Sequence, residues 1–246
     1  MTQLMLGFVI SAAIAVLAYY KDALSTSGST TATVIGTIIY GFGGPMPFII
    51  LMLFFASSAL IGRFNDTDAP MRGSLQVLAS AGFGAYFALR YGVSGHEYYL
   101  ALFLVSLSVA TADTWSSELG RMSKKPPFHP VKLKPMTKGL SGAVSFLGLF
   151  AALMGSMMIA LMGLVVIPDL TLFVVVIISG FFGALVDSWL GLVQVKFKDE
   201  HTARIEDNKT PTNVYYSGFN HLNNTGVNFL SNGIVVLIVY VLILSF

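Results

Sequence analysis

The chain has no cysteine among its 246 residues, which excludes disulfides, thiolate metal centres and cysteine nucleophiles. Charge is also scarce, with Asp, Glu, Lys and Arg supplying 11% of the residues against 55% hydrophobic. So few charges cannot cover a soluble core of this size, and the composition points to a polytopic membrane protein. No Lys or Arg precedes the first apolar run, so it lacks the basic start of a cleavable signal and reads as a membrane helix. No Walker-type phosphate loop, Gly-x-Ser-x-Gly elbow, His-Glu-x-x-His pair or dinucleotide fingerprint occurs. His96, His129, His201 and His221 show no metal-ligand spacing. No polar stretch is long enough to fold alone, which leaves a single integral membrane domain over residues 1–246.

Apolar runs able to cross about 30 Å of hydrocarbon fall near 4–20, 46–62, 73–91, 98–115, 141–166, 171–195 and 227–245. A shorter one near 31–43 is joined to its successor by the breaker Gly41-Phe42-Gly43-Gly44-Pro45. Residues 31–62 are therefore two short helices, a re-entrant pair or one kinked span. The expected fold is all-α, a bundle of about seven to eight transmembrane helices. Most Lys and Arg residues lie in loops near 63–72, 121–140 and 196–225, separated by helix pairs and so on one face. The positive-inside rule makes that face cytoplasmic, in what is expected to be the cell membrane.

The only two tryptophans stand in near-copies of one motif, Asp113-Thr114-Trp115 and Asp187-Ser188-Trp189. Each acid closes an apolar run, and an ionisable group so placed reads as functional by default. The tryptophans read as anchors at the membrane interface. Val144-Ser145-Phe146-Leu147 and Val227-Asn228-Phe229-Leu230 open the helices that follow, which suggests a parallel internal repeat.

Asp113 and Glu118 offer hard oxygen ligands suited to Mg2+, but helical pitch turns them apart unless the helix ends near Gly120. Asp187 lies on a stripe of small residues with Gly180, Ala184 and Gly191, and so faces the bundle interior. The plainer readings are pairing of Asp113 with a loop lysine and simple packing by the glycines. Thr137 to Gly142 leads toward a helix N-terminus, where backbone N–H groups attract phosphate and Lys138 adds a charge. The amide cluster Asn220 to Asn228 can bind a nucleotide base or phosphate, and can equally cap the last helix.

Together, Ala23 to Gly28, Ala112 to Gly120, Gly139 to Ser145, Asp187 to Gly191 and Asn223 to Asn228 resemble the DUF92 family of integral membrane proteins, which includes the plant phytyl-phosphate kinase and the animal transmembrane protein 19. The resemblance covers almost the whole chain in order. It implies an enzyme that phosphorylates an isoprenyl monophosphate to the diphosphate with a nucleoside triphosphate, CTP favoured. Its motif positions fall on Asp113, Thr114, Glu118, Gly120, Gly139, Gly142, Ser145, Asp187, Ser188, Gly191, Asn223 and Asn228. Asn224 stands where the family pattern has an acid, and the turn around Lys138 is altered.

The expected site thus has Asp113, Glu118 and Asp187 as catalytic ligands of Mg2+. Lys138, Gly139, Ser141, Gly142, Ser145, Thr114, Ser188, Asn223 and Asn228 are expected to bind nucleotide and phosphate. Expected partners are an isoprenoid lipid phosphate, a nucleoside triphosphate and membrane lipids, with no nucleic acid and with a homo-oligomer left open. A lipid-phosphate cytidylyltransferase would use the same site. A transporter or flippase of a phosphorylated lipid or small anion would instead place its acids near mid-membrane.

Overall fold

The computed structural model describes residues 2–65, 71–200, 202 and 204–245. Its helices are α1 (Thr2–Tyr20), α2 (Thr26–Ile38), α3 (Pro45–Asn65), α4 (Ser74–Ser94), α5 (Tyr98–Arg121), α6 (Phe146–Val166), α7 (Leu170–Val193) and α8 (Asn224–Leu244). The bundle expectation holds, and the open question over 31–62 resolves into two helices. α2 ends in a π turn, Ile39–Gly43, and Gly44 at φ +90° breaks the chain before α3. Six helices are long and apolar enough to cross a membrane alone; α2 and α4 are not. The α4 face turned inward carries Ala79, Ala81, Gly84, Ala85 and Ala88, which gain their place from packing more than from hydropathy.

α5 forms the centre. It packs against α3, α4, α6, α7 and α8, and every residue from Tyr99 to Ala112 is buried. Of its apolar window 72% is buried, against 22–39% in the other five spanning helices, and its mean hydropathy is the lowest of the six. A helix screened from lipid by protein does not need lipid-soluble side chains, and α5 accordingly carries Ser106, Ser108, Thr111 and Asp113. Thr111 Oγ1 donates back to Leu107 O at 2.7 Å, and Ser108 Oγ reaches across to Val176 O of α7 at 2.9 Å. Close approach of α5, α6 and α7 depends on Gly180, where a Cβ would collide with Ser108 Oγ and come within 2.6 Å of Ser156 Cβ.

The helical bundle carries one addition, in the 196–225 loop. Lys196–Asp199 (β1), Ile205–Glu206 (β2) and Asn213–Ser217 (β3) form a small antiparallel sheet in the order β2-β1-β3. Its aromatic and β-branched residues suit strands. Asn213 organises the turn before β3: Oδ1 accepts from Thr210 N and Nδ2 donates to Asn208 O. Gly218, at φ +92°, lets the chain return so closely to the end of α7 that a Cβ would overlap Gln194 O.

The segments at one end of the bundle are mutually tied. Ser25 N donates to Arg72 O at 3.1 Å and Arg72 N to Ala23 O at 3.2 Å, which brings the α1–α2 turn, with Lys21, beside the start of α4. Lys21 therefore joins the basic loops at that end. Residues 66–70, the middle of the expected 63–72 loop, lie outside the described residues. The two Val-x-Phe-Leu segments sit differently on their helices: Ser145 is the N-cap of α6, whereas Asn228 lies inside α8 and Asn223 is its cap.

At the opposite end, Asp169 caps α7 by accepting from Thr171 N (2.6 Å) and Leu172 N (3.2 Å), and these bonds hold its carboxyl below the ordinary range. A depressed pKa contributes stability above the ordinary value and loses it as pH falls through the folded one. Asp169→Ala should therefore melt below wild type at neutral pH, and the gap should close as pH falls below about 3.8, the ordinary value. Gly180→Val should destabilise by about 1–3 kcal/mol through overpacking, read as a lower thermal midpoint in detergent.

Candidate functional site

Asp113 and Asp187 come from α5 and α7 and meet, close enough for their carboxyls to act on one another. Each projects inward because its helix is packed on that side: Asp187 is 7% exposed, in line with Gly180, Gly183 and Ala184. α8 completes the cluster. Ser231 Oγ donates to Asp187 Oδ2 at 3.0 Å. Asn228, its amide oriented to suit its neighbours, donates from Nδ2 to Asp187 Oδ2 at 3.2 Å and to Asn224 O at 2.7 Å. One turn on, Asn232 Nδ2 donates to Ser106 O of α5 at 3.1 Å, which leaves Asn232 Oδ1 buried without a partner among the described residues.

Asp113, Thr114, Asn228, Ser231, Asn232 and Ser80 of α4 line a recess of about 230 Å3, counting its open mouth. Asp113 lies eight residues before the end of α5 and Asp187 six before the end of α7, so the pair sits about 9–12 Å inside the helix ends. The helices thus run on past the point where each acid closes its apolar run. α5 ends at Arg121, one residue past Gly120, and so stays helical through Glu118.

Glu118 is consequently turned toward the loop end, although it lies close enough to Asp113 to act on its charge. It pairs with Arg121 at 2.9 Å and lies close enough to Arg72 to act on its charge. Among the described residues, no group of three or more His, Asp or Glu side chains is placed to hold a metal ion. Of the three expected carboxylates the structure brings two together, Asp113 and Asp187, beside the Asn228 amide and the Ser231 hydroxyl. Two carboxylates in contact need a proton or a cation between them. Mg2+ takes one or two carboxylates and fills its shell with water and phosphate oxygens, so the donor set fits it, and the orphaned Asn232 Oδ1 would accept from that water.

The expected phosphate-binding group does not form at a helix N-terminus. α6 begins at Phe146, and the residues before it serve the loop. Ser145 Oγ caps α6 by accepting from Gly148 N (3.0 Å) and contacts Gly120 O (3.3 Å). Lys138 Nζ donates to Ser123 O at 3.2 Å. Ser141 N, offered to phosphate by the sequence, donates instead to Asp207 Oδ2 at 2.7 Å. Gly139 and Gly142 take positive φ, and Gly142 packs on Gly191 so tightly that a Cβ would lie 2.8 Å from Leu192 N. Buried Lys196 fastens this contact by donating to Ser141 O (3.1 Å), Gly191 O (3.0 Å) and Asp207 Oδ1 (3.5 Å).

Thr114 Oγ1 and Ser188 Oγ bond back to Ala110 O and Ala184 O, and Thr114 also lines the recess. Asn223 caps α8 through Gly226 N at 2.9 Å. The tryptophans diverge. Trp189 is exposed, as an interface anchor should be, whereas Trp115 Nε1 donates to Ser57 Oγ of α3 at 3.2 Å and its ring packs near Gly155 of α6. Sequence reasoning missed Ser231 and Asn232. Their signal was the spacing from Asn228 of three and four residues, one face of a helix.

The family model described as integral membrane protein DUF92 matches residues 9–236. A membrane protein of Methanocaldococcus jannaschii is 27% identical over 196 residues, 77% of this chain and 82% of that one. Protein PGR of Arabidopsis thaliana is 26% identical over 276 aligned residues, covering 93% and 92%. A membrane protein of Synechocystis is 28% identical over 153 residues, 57% and 59% of the two chains. No solved structure matches.

The Lys196–Asp207 clasp fixes the 122–145 loop to the end of α7. Asp207→Ala should free it, and limited trypsin digestion should then cut after Lys138 faster than in wild type. Unchanged cleavage would mean that the loop is held by other contacts.

Proposed function

Because the chain belongs to the DUF92 family of integral membrane proteins, we propose that it is a membrane-embedded phosphotransferase. It moves a phosphoryl group from a nucleoside triphosphate, CTP favoured, to an isoprenyl monophosphate and yields the diphosphate. The observation that carries this reading is the meeting of Asp113 and Asp187, from two different helices, with Asp113 lining a recess on the side of the basic loops.

Phosphoryl transfer asks a protein chiefly for positioning and charge neutralisation. Asp113 and Asp187, with Asn228 oriented toward them, would hold Mg2+, whose chemistry here is to neutralise triphosphate oxygens. Ser231 and Asn228, which line the recess, hold the Asp187 carboxylate behind it, and Asn232 fastens α8 to α5. Glu118 sits toward the loop end between Arg72 and Arg121 and orients cations that face the outer phosphates. A monophosphate acceptor is largely ionised near neutral pH, so its oxygen attacks without a strong general base. Lys138, Gly139, Ser141, Gly142 and Ser145 shape the loop that closes over this end.

The test is to incubate purified protein with prenyl monophosphates, Mg2+ and each nucleoside triphosphate, and to look for prenyl diphosphate. Asp113→Asn and Asp187→Asn should each lower kcat on the order of a hundredfold or more. Most of the activity surviving in both variants would sink the proposal. A lipid–nucleotide conjugate with released pyrophosphate would identify a cytidylyltransferase instead. The depth of the aspartates also supports a second reading, a transporter of the same lipid phosphate. Passage of labelled prenyl phosphate across vesicles without nucleotide consumption would select it.

A further inference from the structure

A second and larger space lies beside the carboxylate recess. It runs between α1, α2, α3 and α4 with about 630 Å3 between its walls, part of it open to the surroundings. α1 packs on α2 and the π turn, and α3 on α5, α6 and the π turn, so no helix seals the side between α1 and α3. Such a gap in a bilayer opens toward lipid. Its walls are apolar, with Ile14, Leu51, Phe55, Val77 and Ala81 among them, and the small residues Ala15, Ala32 and Gly36 keep it wide. The polar side chains are confined to Ser11 deep inside and to Arg72, Gln76 and Ser80 at the basic end. The groove spans roughly 10 Å of helix rise, from Ser11 to Ala18 along α1.

Arg72 is the group that gives this groove a chemical sense. Its backbone is held on both sides by the Ala23–Gly28 segment, through Ala23 O and Ser25 N, and Gly28 lies directly on its carbonyl. Its guanidinium forms no hydrogen bond or ion pair within the short range with any described side chain, although Glu118 acts on it from farther away. Burial pulls its pKa below the usual arginine value, with Glu118 opposing that pull, and a partly desolvated cation of this kind gains most from an anion. Ser80 lines both the groove and the recess that holds Asp113. Ser80 is thus the wall the two spaces share, and Arg72 stands at the start of the same helix, at the basic end of the groove.

We propose that this groove holds the apolar chain of a single-chain lipid phosphate that enters between α1 and α3, with Arg72 gripping the phosphate at the basic end of the groove. The proposal rests on the phosphoryl-transfer reading only for what happens to that phosphate afterwards. Arg72 is a binding residue for the head group, and the Ala23–Gly28 segment positions it.

The test uses the full chain in phosphatidylcholine nanodiscs and a long-chain alkyl monophosphate that carries a photoreactive diazirine near the end of its chain. Cross-links should map to groove-facing positions of α1, α2 and α3. Unlabelled alkyl phosphate should compete for labelling, and the matching alcohol should not. Arg72→Gln should reduce labelling roughly tenfold to a hundredfold, the scale of a lost charged hydrogen bond, and Arg72→Lys should keep part of it. Ala32→Phe, which fills the groove without touching a charge, should abolish labelling in a protein that still elutes as wild type. Labels elsewhere, equal competition by the alcohol, or normal labelling of Arg72→Gln would overturn the proposal. Correct labelling without any nucleotide turnover would leave the groove standing and remove the phosphotransferase reading; turnover with labels elsewhere would do the reverse.

Discussion

Everything in this protein is arranged around the burial of α5. A membrane helix that faces lipid must be apolar along its length, because no water is present to satisfy polar groups. α5 faces other helices on every side from Tyr99 to Ala112, so its hydroxyls and its carboxylate meet protein donors and acceptors instead. That screening makes it possible to keep Asp113 about 12 Å inside the end of a 24-residue helix. The helices that wrap it differ accordingly: α6, α7 and α8 are strongly apolar outward and carry small or polar residues where they touch α5 and one another.

The carboxylate pair and the loop clasp are two results of the same packing. Gly180 and Gly183 bring α7 onto α5 closely enough for Asp187 to reach Asp113. At the end of the same helix, Gly191 accepts the 139–142 turn, and Lys196 seals it with three oxygen acceptors. The Gly and Ser residues of the loop motif therefore act through backbone fit. A buried lysine bonded to two carbonyls and a carboxylate is a stable arrangement only if all three remain in place. This ties the irregular loop, the small sheet and α7 into one unit over the recess.

The helices were legible because apolar length and breakers such as Gly44-Pro45 are local signals. Asp113, Asp187 and Asn228 were legible because a polar group in an apolar run stands out. The small sheet was not, since its strands are short and lie in a polar stretch that reads as loop. Glu118 was grouped with the aspartates by nearness in sequence, but an unbroken helix turns it away. Ser141 seemed open to phosphate because nothing in its neighbourhood announces Asp207, sixty-six residues farther on.

The sequence by itself determined that the chain is a membrane bundle, where its helices begin and end to within a few residues, that its cations gather at one end, and that two aspartates stand in unusual company. These follow from hydropathy, charge and turn chemistry, which act over a few residues. Tertiary structure alone decided that the two aspartates touch, that α8 supplies their partners, that Trp115 packs inside while Trp189 stays exposed, and that Arg72 borders an apolar groove. Each of these depends on which faces of distant helices meet, and that is set by close packing of small residues across the bundle, a property no single segment carries.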